Sequence, residues 1–564
     1  MKTTEFDAIV IGSGITGGWA AKELTEKGLK VLVLERGSDI RHGVDYLGEH
    51  APDWKMPFQG KADRIRNAQE YPIQSQSYAF SEATRHFFNN DQANPYIRSD
   101  DKPFDWMRAN VVGGRSLLWG RQVYRFSEQD FNANGQDQQG IPWPIGYKDI
   151  APWYSYVEKF IGVSGEAEGL PELPDGEFLP PMEMFALEKT IKARLAQKAP
   201  EVTMTMGRAA ILTKNHNGRG ACHYCGPCHR GCSTGSYFSS QSSTLPAARK
   251  TGNLTLKANA VVERLVYDKK SGKVSDVLVI DSETRERHRY SARLFFMCAS
   301  TIGSTQILLN STCDTFPNGL ANSSGALGHY LMDHAHGEVA IGAFLDDMDS
   351  YYHGNRPNGT YLPRFKNLPG KKQDKNFMRG YGFQGNVLRM DWRLNLNQKG
   401  FGVSLKDSLR KPGPWIWALT GFAECLPRKS NRVFLDKNKV DRFGIPQVAI
   451  EFEWSENEKA IWTDMANNGE RLMKAAGAVF SLKTEKLEAV GGSAIHEMGT
   501  ARMGSDPSQS VLNGHNQAHD VPNLFVTDGA CMTSSSCVNP SLTYMALTAR
   551  ACDYAVAQLA AGKI

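Results

Sequence analysis

At 564 residues the chain is too long for one compact domain and long enough for two or three, each with its own core. Hydrophobic residues at 41%, aromatics at 10% and charged residues at 22% are ordinary globular usage and exclude disordered and fibrous architectures. A net charge of +5, from 65 Lys and Arg against 60 Asp and Glu, gives no electrostatic basis for a nucleic-acid partner, and no apolar run reaches the ~18 residues of a membrane span, so no direct membrane insertion is expected.

The first element is a short apolar run, Asp7 to Ile11, which leads into Gly12-Ser13-Gly14-Ile15-Thr16-Gly17. A helical stretch from Gly18 to Lys27 follows, then a second apolar run, Val31 to Leu34, ending in Glu35. Strand, glycine turn, helix and strand in that order form the dinucleotide-binding fingerprint. Gly12 permits the tight turn, Gly14 lets the backbone approach a pyrophosphate, and Gly17 allows close helix packing. The helix N-terminus attracts the anion and Glu35 accepts from a ribose hydroxyl. The spacing does not separate NAD from FAD. No basic stretch precedes the first apolar run, so the N-terminus reads as a core strand and not as a cleaved address.

Further along, Trp- and Tyr-rich segments at 140–160 and 350–420 are assigned mainly to a substrate-facing domain. Trp415 and Trp417 read as core or rim packing, with stacking on a sugar face as the other reading. Between those segments, Cys222, Cys225, Cys228 and Cys232 spell C-x2-C-x2-C-x3-C on a loop rich in Gly and Pro. The spacing is that of ferredoxin-type iron–sulfur ligation; a four-Cys zinc site and disulfides are the other readings. Near the end, Asn523 to Gly529 reads as a strand leading to a loop, and Pro540 to Leu559 as a long helix packed on the sheet.

Several blocks, in chain order, resemble the glucose-methanol-choline oxidoreductase family. They are the N-terminal fingerprint, Trp106 to Gly120, Ala299 to Ser311, Gly328 to His334, Ser493 to Gly504 and Asn539 to Thr543. The resemblance implies an α/β fold, in which a Rossmann-like FAD-binding domain of the p-hydroxybenzoate hydroxylase-like type carries a discontinuous α+β substrate-binding domain. The FAD-binding domain is expected at 1–50, 101–135, 205–335 and 490–564, the substrate-binding domain at 51–100, 136–204 and 336–489, and the Cys-rich loop at 221–235. It implies FAD as the cofactor, with Gly113, Gly114 and Ser116 against the flavin and phosphates, Val262 at the adenine, Asp528 near the ribityl-pyrophosphate and Thr543 in the cofactor-binding set. Relatives that tether flavin use a His just before the Trp of the second block. Leu118 stands there, so non-covalent FAD is expected.

The same resemblance makes His496 the catalytic base and Asn539 its partner. An imidazole can take a hydroxyl proton and return it, and an amide can hold the substrate oxygen without competing for that proton. His496-Glu497 is followed at the next turn by Thr500 and not by a second His, which excludes a zinc-protease helix. His329 and His334 read as loop-ordering residues outside the catalytic set.

The chain is similar to the large subunits of bacterial FAD sugar dehydrogenases, glucoside 3-dehydrogenases among them. A sugar or glycoside substrate oxidised at a secondary alcohol follows, with position 3 of a glucoside as the preferred carbon; an oxygen-using oxidase of the pyranose or sterol type and a non-catalytic electron-carrying subunit that binds flavin and a metal are the other readings. An iron–sulfur cluster, three-iron or four-iron, on Cys222, Cys225, Cys228 and Cys232 is implied in the same way. So are a small subunit and a cytochrome c-type acceptor. The compartment is expected to be the periplasm by co-export with a signal-bearing subunit, or the cytoplasm.

Overall fold

The computed structural model describes residues 3–49, 51–350, 354–391, 400–410 and 412–564. A seven-stranded sheet organises the two ends of the chain. Leu254–Lys257, Val31–Leu34, Thr3–Ile11 and Arg287–Met297 run parallel in that order, with Ala8 between Val31 and Leu294. Val31–Leu34 is buried along its whole length, as a parallel strand covered on both faces must be. Arg287–Met297 changes partner midway: its first half pairs with antiparallel Lys273–Asp281, its last residues with parallel Leu524–Val526. Helices Ile15–Glu26 and Ser541–Ala560 pack together, Ala20, Ala21 and Leu24 meeting Ala551, Cys552 and Ala555. The expected C-terminal strand and helix are both present, and the helix covers the sheet.

The middle of the chain builds a second, antiparallel sheet of six strands: Phe480–Lys483, Ala335–Phe344, Trp415–Ala423, Tyr381–Arg389, Thr360–Leu362 and Thr205–Met206. Alternation decides its two faces. Phe383, Val387, Trp415, Trp417 and Leu419 point to a core closed by the helix Glu456–Ala476 through Ile461, Trp462, Met465 and Leu472. Trp415 and Trp417 are therefore packing residues. A third sheet joins Arg432–Val440, Pro446–Glu451 and Ile97–Arg98. The hairpin tip between its first two strands is pinned by Asp441 N–H to Ile445 O, and its Phe443 and Ile445 pack on Val261 and Ile280 of the first sheet.

One segment sits differently from the expected partition. Helix Tyr147–Ile161, in the stretch assigned to the substrate side, lies against both nucleotide-domain helices. Its Tyr154 hydroxyl meets Thr543 Oγ1 at 2.8 Å, and its Tyr156 hydroxyl donates to Glu23 at 2.8 Å. Its apolar stripe, Ile150, Tyr154, Val157 and Ile161, is helical in period, but a stripe names a buried face without naming what buries it.

Candidate active site

A cavity of about 640 Å³ runs from the glycine turn to the face of the second sheet. At its nucleotide end the turn is built as the sequence implies. Gly12 has φ +101°, and a Cβ there would meet the Cys298 carbonyl oxygen at 2.3 Å. A Cβ on Gly17 would stand 1.9 Å from the Gly12 oxygen, so helix and turn touch backbone to backbone. Gly14 faces open space and caps the helix Ile15–Glu26 without a side-chain hydrogen bond, and the first turn holds no acidic residue. Free N–H groups and the positive end of the helix are therefore left for an anion. The buried Glu35 carboxylate accepts from Ser13 N–H at 3.1 Å, Ser13 Oγ–H at 2.6 Å and Gly37 N–H at 2.9 Å.

Glu35, Val262, Gly114, Ser116 and Asp528 line the same cavity as Gly12 and Gly14. Gly113 does not; its N–H donates to Ser13 Oγ at 2.9 Å and ties the second loop to the first. Thr543 does not either, because its hydroxyl is buried against Tyr154. Ser116 Oγ is occupied within the fold, donating to Gly113 O at 2.6 Å and accepting from Ser240 N–H at 3.0 Å. Asp528 accepts from Ser304 Oγ and Ala530 N–H, and burial lifts its carboxyl to about 6. Arg115, unremarked in the sequence although it sits between Gly114 and Ser116, forms a bidentate pair with Glu497 at 2.8 and 2.7 Å and donates to Ser300. Pairing with a carboxylate beside His496 fixes that guanidinium at the floor of the cavity.

At the other end, His496 and Asn539 meet. Asn539 Nδ2 lies 3.3 Å from His496 Nε2. The backbone presenting His496 is strained, Ile495 holding φ +61°, an arrangement that costs on the order of 1–3 kcal/mol and needs support. Asp333 supplies it. Its fully buried carboxyl accepts from Gly492 N–H at 2.7 Å, Ala494 N–H at 3.3 Å and His496 N–H at 3.1 Å. Burial, with the Glu497 charge adding to it, raises that carboxyl to about 7 against those three donors.

His334, read from the sequence as a loop-ordering residue outside the catalytic set, is a positioning residue that touches His496. Its Nε2 lies 2.9 Å from Ser536 O and 3.3 Å from Ser535 O, and its Nδ1 lies 2.8 Å from His496 Nδ1. Carbonyl oxygens only accept, so His334 Nε2 carries the proton. Burial pushes the ring down to about 4, so it is neutral and its Nδ1 is an acceptor. His496 must then donate from Nδ1. Burial, and after it the neighbouring His334, His336 and Arg115, hold the His496 ring well below the usual imidazole range. The neutral ring therefore turns an unprotonated Nε2 to the cavity. Last in the chain, Gln384 Nε2 donates to Asn539 Oδ1 at 2.7 Å, which turns the Asn539 N–H toward His496. His329, by contrast, contacts Lys429 O at 2.9 Å and does not line the cavity.

The cysteine loop departs from expectation. Cys222, Cys225, Cys228 and Cys232 are all free thiols, and among the described residues no group of three or more Cys, His, Asp or Glu is placed to hold a metal ion. Cys222, Cys228 and Cys232 pack on the cluster of Met182, Met206, Ile211 and Tyr237, and burial raises the Cys228 thiol to about 12. The arrangement of the described residues does not support an iron–sulfur cluster on these four cysteines, and no electron step is assigned to them.

A dinucleotide cradle opening onto a neutral imidazole and an oriented amide is the arrangement of an oxidoreductase acting on a carbinol. The family models described as GMC oxidoreductase match residues 6–336 and 427–548, and the chain belongs to this glucose-methanol-choline family of FAD-dependent oxidoreductases acting on CH–OH groups. It is 29% identical to 2-methyl-1,2-propanediol dehydrogenase of Mycolicibacterium austroafricanum, over 97% of this chain and 94% of that one. It is 25% identical to the fructose dehydrogenase large subunit of Gluconobacter japonicus, over 98% of both. Paromamine 6'-oxidase of Streptomyces fradiae is 26% identical, over 96% of this chain and 89% of that protein. In fold the chain is similar to pyridoxine 4-oxidase from Mesorbium loti, with a TM-score of 0.60, 15% identity and coverage of 97% of this chain and 98% of that chain. FAD fits the nucleotide end on this chain's own features: the open space at Gly14, the uncapped helix and the buried Glu35 acceptor.

Proposed function

We propose that the protein oxidises a secondary alcohol of a sugar or glycoside, with carbon 3 of a glucoside as the preferred position. The single observation that carries the reading is the hydrogen-bonded row His334–His496–Asn539, which leaves His496 Nε2 an acceptor at the cavity beside the Asn539 N–H. His496 Nε2 takes the hydroxyl proton. Asn539 Nδ2–H donates to the substrate oxygen as negative charge develops there, and Arg115 with Glu497 holds the floor. FAD, when bound, supplies the acceptor for the hydride that leaves the same carbon. Leu118 offers no nucleophilic nitrogen, which supports non-covalent binding.

Relatives named for a propanediol, fructose and paromamine support a hydroxyl-rich substrate. The name of the fructose dehydrogenase large subunit supports a companion subunit. A cytochrome c-type acceptor, and transport to the periplasm beside that companion or residence in the cytoplasm, belong to the same proposal. The test is an anaerobic titration with glucosides and free sugars. Bleaching of the flavin by a glucoside, with the 3-keto product recovered, is the expected result. Oxygen uptake matching dye reduction in the same preparation would replace the dehydrogenase with an oxidase, and a flavin that no alcohol bleaches would sink the reading.

A further inference from the structure

The strand Tyr381–Arg389 places alternate side chains on opposite faces of the second sheet. Tyr381, Phe383 and Val387 enter the apolar core, while Gln384 and Asn386 line the cavity, with Thr420 directly opposite Gln384 on the neighbouring strand. Gln384 uses one N–H to hold Asn539 Oδ1 at 2.7 Å. A carboxamide has two donors and an acceptor with two lone pairs. Among the described residues, Gln384 Oε1 and its second N–H have no protein partner, and Oε1 is not among the polar atoms shut away from solvent. The Thr420 hydroxyl and Asn386 amide, on the same wall, are likewise without protein hydrogen bonds among the described residues.

The Gln384 amide is thus fastened to the residue that would hold the reacting oxygen, and it presents its unused acceptor and donor one amide further along the wall. A hydroxyl on the carbon adjacent to the carbinol lies one bond further along the substrate. We infer that Gln384 reads this neighbouring hydroxyl and that the substrate class is a neutral vicinal diol, of which a sugar ring is one case. The inference rests on the reading that His496 and Asn539 frame the carbinol. The wall beyond them, Gln384, Thr420 and Asn386, is uncharged, so a hydroxyl is the group it satisfies.

The test compares kcat/KM for paired probes on the FAD-loaded full chain. The pairs are propane-1,2-diol against propan-2-ol, and methyl glucoside against its 2-deoxy and 4-deoxy analogues. The wild-type protein should prefer the diol member of each responsive pair by about 10- to 100-fold, the range of a lost hydrogen bond to a group that stays buried. Gln384→Met, close in volume, should collapse this preference toward unity. Gln384→Glu keeps an acceptor but loses the donor to Asn539, so activity on both members falls while the preference persists. Flavin content and melting temperature confirm that each variant is folded. A preference unchanged in Gln384→Met, or absent in the wild-type protein, overturns the assignment. Failure of every alcohol to reduce the flavin instead removes the underlying alcohol oxidation, so the two failures are told apart.

Discussion

The proton inventory at His496 sets the behaviour of single residues. Because the folded ring is held well below its ordinary 6.5, the base form persists on acidification. The rate constant for flavin reduction should stay level as pH falls from 8 through 6.5 and decline only at lower pH. An acid limb centred near 6.5 in stopped-flow traces would contradict this. His496→Ala should cut flavin reduction by about 10²–10⁴-fold with FAD retained. His334→Leu removes the acceptor that fixes the His496 tautomer, so the reduction rate should fall by about 10-fold or more and the acid limb should move, since a neighbouring ring is lost. An unchanged profile would reduce His334 to a packing residue. The pair His496 and Asn539 was legible because each sits in a recognisable block. His334 was legible as a residue but not as a partner, since its role depends on two carbonyls, Ser535 and Ser536, far away in sequence. Gln384 carried no local signal; it reaches the site only because strand alternation turns it toward Asn539.

Among the elements, the strand–turn–helix unit was the most legible, because its requirements are local and steric. Gly12→Ala places a methyl group into the Cys298 carbonyl at an unfavourable φ, so the purified variant should show a sharply reduced flavin-to-protein absorbance ratio. Retention of full flavin content would show that the turn can move aside. The second sheet was legible only as an aromatic middle, since antiparallel pairing among distant strands leaves no short motif. Helix Tyr147–Ile161 showed its stripe in the sequence but not what the stripe packs on: the contacts of Tyr156 with Glu23 and of Tyr154 with Thr543 join residues far apart in the chain. The cysteine spacing was legible, but the described residues do not gather into a metal-holding group. A spacing fixes which sulfurs could converge on a short loop, but packing against Met182 and Tyr237 decides whether they do.

For the whole molecule, the cysteine loop bears on the cavity from outside: its His229, with Tyr237, lines the wall, and Asn355, close in sequence to the wall residue Asn358, donates to Cys225 O at 3.3 Å. Held as thiols, its sulfurs should differ in reactivity. Cys225 is exposed and should alkylate well before Cys228, which is half-buried with its thiol lifted to about 12, as peptide mass spectrometry over a time course would record. Equal labelling would overturn the difference in burial, and three or four iron atoms per chain on elemental analysis would restore a cluster to this loop.

The hairpin tip at Asp441–Ile445 belongs to the third sheet, yet it rests on Val261 and Ile280 and closes the Val262 end of the cavity. A nucleotide seated there would be clasped by this tip, so its departure would require the clasp to lift. Residence time, more than equilibrium affinity, is what such a device governs. Phe443→Ser should hasten FAD loss on dilution, seen as faster recovery of free-flavin fluorescence, while leaving the turnover of molecules still loaded untouched.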